Sequence, residues 1–263
     1  MKLFEGAEHA NIYGQIRPSY PKELVQTIIE FVGSENDSFD FAIDVGCGSG
    51  QATQLFSSYF KRIYGFDVSE NQIKEAKRLN NNEKISFFVS PSETLPVDNE
   101  TVDLISVAAA LHWFEISAFF TECKRIIKPN GTLAVFFYSL PKISRSVRFE
   151  ARIEEAHIFL KPYFAKNVFL NETRFKSIDF PFRKVERDIS FKNEMKWKVD
   201  HLIQFVQTLS AYQTFCSKHA ENNFIETLRS DLLQILKEDE NEKMPENIEL
   251  KVDFKVTLIL CRK

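Results

Sequence analysis

Residues 41–50 have the sequence FAIDVGCGSG, and this stretch decides the fold. Its first half is an apolar run, interrupted only by Asp44, of the kind that forms a short buried β-strand. Three of the chain's eight glycines follow within five residues. Glycine concentrated directly after a strand indicates a turn with positive φ or a close approach by a ligand. We therefore expect a strand over residues 41–45, a ligand-binding turn, and a helix over residues 51–60.

Outward from this stretch, hydrophobic periodicity predicts that strands and helices alternate through the first half of the chain. The further strands are predicted at residues 62–66, 85–89, 102–109 and 133–138, and the further helices at residues 21–32, 70–79 and 116–127. Ser69 and Gln72 form a candidate capping box for the helix at 70–79. Strands separated by helices pair in parallel through right-handed crossovers, so we expect an α/β fold with a doubly wound sheet.

The second half of the chain has a less regular pattern. Residues 143–176 are predicted to be partly helical, residues 185–191 and 249–261 to form strands, residues 201–215 and 224–236 to form helices, and residues 237–246 to form a charged loop. The sequence has no internal repeat and no linker long enough to force a domain boundary. We therefore expect one domain over residues 1–263.

Composition narrows the classes of function. The chain has 34 Lys and Arg against 37 Asp and Glu, a near balance that argues against a protein that coats nucleic acid or an anionic membrane. Its four cysteines form no C-x-x-C pair, which favours a reducing compartment. The N-terminus lacks the apolar core of a signal peptide, and the apolar runs are shorter than the roughly 20 residues that span a bilayer. We expect a soluble, cytoplasmic protein without nucleic-acid or membrane partners; the sequence does not indicate its oligomeric state.

The glycine turn limits the kind of ligand it can hold. A dinucleotide fingerprint requires a third glycine at position 51, where Gln51 stands, and a P-loop requires a Gly-Lys-Ser/Thr sequence that is absent. A carboxylate at Asp44 would repel a pyrophosphate but could receive an ammonium group. The expected ligand is therefore a nucleoside that carries an amino acid rather than phosphates.

Residues 44–50 resemble the first motif of class I S-adenosylmethionine-dependent methyltransferases, and further motifs of that family follow in order. Asp67 matches the acid that accepts both ribose hydroxyls, since a carboxylate has paired acceptors for a vicinal diol. Residues 92–96 resemble the loop that borders the adenine. Pro91 stands where many relatives have Asp, so recognition of the adenine amino group falls to Glu93 or to backbone. Residues 103–105 and 125–131 resemble the motifs around strands four and five.

Further residues of the sequence are similar to those of a subgroup of small-molecule enzymes that includes trans-aconitate methyltransferases. They are Tyr13, Arg17, Pro18, Tyr20, Pro21 and residues 110–114. The resemblance implies a seven-stranded, mostly parallel sheet whose last strand, at residues 249–261, is antiparallel. It also implies methyl transfer from S-adenosylmethionine to a small-molecule acceptor.

The resemblance and the chemistry above give a set of candidate site residues. The cofactor-binding candidates are Tyr13, Arg17, Asp44, Gly46, Gly48, Asp67, Glu93 and Ala108. Arg17 is the expected partner of the cofactor carboxylate, because a guanidinium can bind a carboxylate through two parallel hydrogen bonds. Trp113 and Tyr20 are the expected substrate-binding residues. His112 follows strand four and is the catalytic candidate, as a general base or an orienting donor, with a core histidine as the alternative. It has no Cys or His at ligand spacing, so no metal site is expected.

The segment at residues 143–176 is expected to cover the pocket. Residues 142–176 carry eight basic and four acidic side chains, and phenylalanines recur among them. Cationic groups above an apolar floor would attract an anionic acceptor, such as a carboxylate. The candidate clamps are Arg145, Arg148, Arg152 and Arg174. The alternative is a solvated helical face.

Three other classes of function remain open at this point. Asp44 and Gln51 disfavour a nicotinamide-dependent oxidoreductase, because its fingerprint differs at both positions. A non-catalytic cofactor-binding or interaction module would keep the same glycines. A nucleic-acid methyltransferase has only the local basic segment in its favour.

Overall fold

A sheet of eight strands organises the chain in the computed structural model, which describes residues 16–33, 39–240 and 244–263. The strands are β1 (Phe39–Val45), β2 (Phe60–Asp67), β3 (Ile85–Val89), β4 (Val102–Ala108), β5 (Ile127–Tyr138), β6 (Lys142–Ser144), β7 (Lys184–Trp197) and β8 (Leu250–Arg262). The helices are α1 (Lys22–Val32), α2 (Glu70–Leu79), α3 (Ile116–Ile126), α4 (Val147–Leu160), α5 (Phe169–Glu172), α6 (Val199–Gln207), α7 (Ser210–Lys218) and α8 (Phe224–Glu240).

The sheet has the predicted topology. Its order is β3-β2-β1-β4-β5-β8, and both β6 and β7 also pair with β8. Strands β1 to β5 pair in parallel, whereas β8 runs antiparallel to β5, β6 and β7. The doubly wound α/β fold with an antiparallel closing strand is therefore confirmed. The short β6 raises the strand number to eight, because residues 142–144 extend the pairing along the edge of β8.

The predicted helix at residues 51–60 is wrong. Only the 3-10 turn Thr53–Phe56 forms there. The register explains this, because Phe39 at the start of β1 pairs with Phe60 at the start of β2. The chain must therefore return along the sheet within the few residues that follow the glycine turn. Phe56 is 1% exposed and anchors the shortened crossover in the core.

Two predictions in the second half also need correction. The helix predicted at residues 201–215 is divided into α6 and α7, because Thr208 ends α6 and its hydroxyl donates to the carbonyl of Phe205 at 2.6 Å. The loop predicted at residues 237–246 is helical in its first part, since α8 continues to Glu240. Among the helices of the described residues, none is both long and apolar enough to cross a membrane.

Phenylalanine side chains fill much of the core on both faces of the sheet. Phe66 and Phe119 belong to one apolar cluster, Phe56 and Phe136 to the other, and all four are fully buried. Burying a side chain of this size contributes about 2–3 kcal/mol. These phenylalanines therefore serve to pack the core.

A third apolar cluster packs α4, α6 and α8 against the N-terminal half of β8, at residues 250–254. Phe149, Leu228 and Phe254 lie fully buried inside it. Ion pairs reinforce this packing, because Arg148 binds Asp239 at 2.8 Å and Arg152 binds Asp231 at 2.9 Å. These two arginines of α4 therefore hold α4 against α8.

The ion pair of Arg152 generates a stability prediction. Arg152→Gln should lower the free energy of unfolding by up to about 1 kcal/mol, because the Arg152 side chain is only 20% exposed and loses its partner Asp231. Cofactor affinity should not change. Urea unfolding measures the first quantity and calorimetry the second. Lys196→Gln is the control, since it breaks the pair with Glu249 between side chains that are 75% and 60% exposed and should have a smaller effect. Unchanged stability with weakened acceptor binding would contradict this structural role.

Candidate functional site

A cavity of about 520 Å³ lies beyond the carboxyl ends of β1, β2, β3 and β4. This is the edge at which α/β proteins of this topology bind ligands. Its walls include Pro18, Tyr20, Val45, Gly46, Cys47, Gly48, Asp67, Ser69, Gln72, Ser90, Ser92, Glu93, Ala108, Ala110, Trp113, Phe114 and Tyr138. Seven of the predicted site residues therefore come together here: Tyr20, Gly46, Gly48, Asp67, Glu93, Ala108 and Trp113.

The glycine turn forms one wall of the cavity. The N–H groups of Gly46 and Cys47 both donate to the carbonyl of Phe66, at 2.8 and 3.0 Å. Gly46 has φ +71°, and a Cβ built on it would lie 2.5 Å from the Cβ of Ala110. Only glycine tolerates both the positive φ and this close approach. The turn is therefore held against the segment that follows β4.

Asp67 lies at the end of β2 with its carboxylate beside the turn. It accepts hydrogen bonds from the N–H of Gly48 and from the N–H of Ser69, both at 2.9 Å. Burial raises the pKa of Asp67, and these backbone donors oppose that shift. Each oxygen keeps a second lone pair. The carboxylate can therefore accept hydrogen bonds from a vicinal diol in the cavity.

The loop at residues 90–97 closes the next part of the cavity and is tied to the start and the end of α3. Glu93 accepts hydrogen bonds from the N–H of Glu115 at 2.9 Å and from the hydroxyl of Ser92 at 2.8 Å. The N–H of Leu95 donates to Glu122 at 2.6 Å, and Arg125 donates to the carbonyl of Leu95 at 3.0 Å. Glu122 and Arg125, which do not line the cavity, therefore fix the loop together with Glu93, which does.

Asp44 lies beneath the glycine turn and does not line the cavity. Its carboxyl group is fully buried and accepts hydrogen bonds from Thr53 at 2.6 Å and from Ser106 at 2.8 Å. Burial raises the pKa of Asp44 to about 6, against the opposing effect of these two hydroxyls. Direct receipt of a ligand ammonium, as predicted, does not fit this position. Asp44 instead joins β1, β4 and the 3-10 turn.

His112 and Trp113 lie in the turn Leu111–Trp113 after β4 but face different surroundings. Trp113 is 37% exposed and lines the cavity, whereas His112 is 7% exposed and lies behind the wall. The Nδ1 atom of His112 is 3.1 Å from Nδ2 of Asn171, and Asn167 donates to the carbonyl of His112. Burial lowers the pKa of His112 to about 4, with the charge of Arg17 adding to the effect. The ring is therefore neutral near pH 7.

Arg17 and Tyr20, two of the N-terminal candidates, lie on the side of the cavity next to β5. Arg17 donates to the hydroxyl of Tyr138 at 3.0 Å and to the carbonyl of Thr208 at 2.9 Å, and it does not line the cavity itself. Tyr20 lines the cavity and packs edge-on against Phe136, with ring centroids 4.8 Å apart. Tyr13, predicted to bind the cofactor, lies outside the described residues.

The arginines of the segment at 143–176 do not reach the cavity. None of Arg145, Arg148, Arg152 and Arg174 lines it. Arg148 and Arg152 bind acidic side chains of α8, as described above, so their charge is largely balanced. Over the part of the chain that the structure describes, no group of three His, Cys, Asp or Glu side chains could hold a metal ion.

Comparison with known proteins agrees with this geometry. One protein family, described as a methyltransferase domain, matches residues 43–135. A Dictyostelium discoideum protein that carries the name of a methyltransferase is 29% identical over 95% of this chain and 92% of its own length. The CRG1 protein of Saccharomyces cerevisiae, named a "probable S-adenosylmethionine-dependent methyltransferase", is 35% identical over 54% of this chain and 48% of its own length. Residues 43–135 of the chain thus match a methyltransferase domain, and both relatives carry the name of a methyltransferase.

A solved structure supports the fold of this chain. A protein from Anaeromyxobacter dehalogenans that is described as a type II methyltransferase superimposes with a TM-score of 0.76 at 23% identity, covering 94% of this chain and 97% of that chain. The likeness therefore extends beyond residues 43–135 to nearly the whole chain.

Several residues that line the cavity were not predicted from the sequence. They include Gln72, Ser90, Phe114 and Tyr138. Tyr138 had a usable signal, because it ends a predicted strand and the carboxyl ends of parallel strands share one edge. Gln72 was recognised only as part of a helix cap. Whether Gln72 faces the cavity depends on how α2 packs against the sheet, and hydrophobic periodicity does not predict that packing.

The buried carboxyl of Asp44 generates a prediction about pH. Its pKa in the folded protein, about 6, lies above the ordinary 3.8, so the proton is held more tightly in the folded state. The resulting stabilisation is present below about pH 4 and is lost as the pH rises through 6. Asp44→Asn should therefore gain stability relative to the wild type, on the order of 1 kcal/mol, between about pH 5 and about pH 8. Urea unfolding of both proteins at the two pH values measures the difference. A difference that does not depend on pH would contradict the raised pKa.

The environment of His112 generates a second prediction. Because Asn171 donates to Nδ1, the neutral ring should carry its proton on Nε2 and stay neutral down to about pH 5. Asn171→Asp should move the proton to Nδ1 and raise the pKa of His112, since a carboxylate accepts from Nδ1–H. Nitrogen NMR of labelled histidine reports both quantities. Thr173→Asp is the control, because it adds the same charge at an exposed position nearby. Equal tautomers in wild type and Asn171→Asp would refute the assignment.

Proposed function

We propose that the chain transfers a methyl group from S-adenosylmethionine to a small-molecule acceptor. The observation that carries this proposal is the two-ended cavity. One end is polar and contains the glycine turn, Asp67 and Glu93, whereas the other is aromatic and contains Tyr20, Trp113 and Tyr138. Its volume of about 520 Å³ is in the range of small-molecule sites. A nucleoside suits the polar end, and an acceptor suits the aromatic end.

The residues of the polar end fit the cofactor. Backbone at Gly46 and Gly48 lines the cavity without side chains, which leaves room for a ligand to approach closely. Asp67 would accept hydrogen bonds from the ribose hydroxyls, and Glu93 or backbone would meet the adenine. Ala108 would form part of the floor. Asp44 would act through its support of the turn rather than by contact.

Arg17 is the cation that best suits a carboxylate near the aromatic end. It is held by Tyr138 and Thr208 and acts on the charge state of His112. The cofactor carboxylate remains its expected partner. Tyr138 lines the cavity and accepts a hydrogen bond from Arg17, so it would hold Arg17 close to that carboxylate. Tyr13 is proposed as a further cofactor residue on resemblance alone.

Bound S-adenosylmethionine supplies a methyl group on a positively charged sulfonium, which an acceptor displaces in line. The chain's own part is alignment and exclusion of water, because a well-oriented nucleophile needs little further assistance. A carboxylate acceptor needs no general base, whereas a hydroxyl or an ammonium does. His112 is neutral, and its Nδ1 is engaged by Asn171. These facts favour an acceptor that arrives ionised, so we propose a carboxylate, with His112 as an orienting residue.

The segment at residues 143–176 is proposed as a cover within a single domain. Asn167 and Asn171 bind the His112 turn, and Phe175 packs against Phe137 with centroids 5.3 Å apart. The cover would therefore act by holding the turn after β4 and not through its arginines. The trans-aconitate subgroup, the cytoplasmic location and the absence of a nucleic-acid partner stay predictions.

Loss of the Asp67 carboxylate tests cofactor binding. Asp67→Ala should weaken the binding of S-adenosylhomocysteine about tenfold or more, because the ribose hydroxyls lose a charged acceptor. Titration calorimetry measures the two affinities. Asp98→Ala serves as the control, since Asp98 is an exposed acid outside the cavity. Equal affinities of wild type and Asp67→Ala would remove Asp67 from the site.

His112 tests the acceptor end. The first measurement is release of S-adenosylhomocysteine with a panel of small carboxylic acids, phenols and amines. With the best acceptor, His112→Ala should lower kcat with little change in cofactor Kd, because His112 supports Trp113 and does not contact the polar end. His157→Ala on α4 is the matched control. Cofactor binding without turnover of any acceptor would favour a non-catalytic binding module instead.

A further inference from the structure

Gln72 on α2 is a buried polar residue whose surroundings leave its side-chain oxygen without a hydrogen-bond donor. It is 3% exposed and lines the cavity. Its backbone N–H donates to the hydroxyl of Ser69 at 3.4 Å, which is the first half of the capping box. Its side-chain Oε1 is shielded from solvent and accepts no hydrogen bond from any residue that the structure describes.

The missing half of the capping box explains the free side-chain oxygen. In a complete box, the side chain at the position of Gln72 would accept a hydrogen bond from the N–H of Ser69. Here that N–H donates to Asp67 at 2.9 Å. Asp67 has therefore taken the usual partner of Gln72. The side-chain oxygen is left beside the cavity with its hydrogen-bonding capacity unused.

The location of the amide indicates which part of a ligand it would meet. A Cβ built on Gly48 would lie 3.7 Å from Oε1 of Gln72. The N–H of Gly48 donates to Asp67, so Gln72 and Asp67 flank the same piece of backbone. Asp67 is the proposed acceptor for the ribose. A second polar group at this point would therefore meet the ribose and not the distant acceptor end.

We propose that Gln72 is a further cofactor-binding residue, which hydrogen-bonds the ribose of the nucleoside together with Asp67. This inference rests on the proposed function, since it requires the nucleoside to occupy the polar end. The unpartnered oxygen costs stability in the ligand-free protein, because a buried polar group without a hydrogen bond is unfavourable. The ligand restores the hydrogen bond on binding. Gln72 therefore lowers the stability of the ligand-free protein and raises its affinity for the nucleoside.

One substitution at Gln72 should therefore have opposite effects on protein stability and on ligand affinity. Gln72→Met keeps the length of the side chain and removes the amide. The melting temperature of the ligand-free protein should rise by a few degrees, whereas affinity for S-adenosylhomocysteine should fall about five- to tenfold. Thr132→Val is the matched control, because the Thr132 hydroxyl is fully buried, has no partner and lies away from the cavity. It should raise the melting temperature and leave the affinity unchanged.

Methylthioadenosine, which keeps the ribose and adenine but lacks the amino acid, locates the contact. Gln72→Met should weaken its binding by the same factor as that of S-adenosylhomocysteine. A loss confined to S-adenosylhomocysteine would overturn the ribose contact. Unchanged affinity for both ligands, or a lower melting temperature of the ligand-free variant, would overturn the whole inference. Failure of the wild type to bind either ligand would refute the proposed function itself, which the variants alone do not test.

Discussion

The backbone of residues 46–48 runs between the end of β2 and the turn after β4 with no room for a side chain at Gly46. Two N–H groups fix it to the carbonyl of Phe66, and Ala110 limits it on the other side. Because this backbone is held, the N–H of Gly48 can orient Asp67, and Asp67 in turn takes the N–H of Ser69. The polar end of the cavity is thus built outward from one sterically constrained turn.

Beneath that turn, electrostatics and packing work together. Asp44 is buried between Thr53 and Ser106, and its repulsion with Asp67 adds to the rise in its pKa. Two carboxyl groups therefore lie close to the cavity, one at its wall and one behind it. Their combined field favours a cationic ligand over a phosphate, even though Asp44 makes no contact with the cavity. A sulfonium or an ammonium is the kind of charge that this arrangement accommodates.

The sequence predicted the parts of the site that depend on neighbouring residues. The glycine turn and Asp67 follow directly from strand ends, and the sheet topology follows from alternation of strands and helices. It failed where the outcome depends on distant partners. The role of Arg152 is set by Asp231 on α8, and the burial of His112 by Asn171 in a separate segment. Periodicity also could not show that the register of Phe39 with Phe60 leaves no room for a full helix after the turn.

The aromatic end of the cavity, proposed to hold the acceptor, is assembled from segments far apart in the chain. Tyr20 precedes α1, Trp113 follows β4 and Tyr138 ends β5. Arg17 donates both to the hydroxyl of Tyr138 and to the carbonyl of Thr208, which lies between α6 and α7. Each wall residue can therefore change without disturbing the glycine turn. Under the proposed function, such a division would let one cofactor site serve different acceptors, because contacts at the aromatic end alone would decide which nucleophile is aligned with the methyl group.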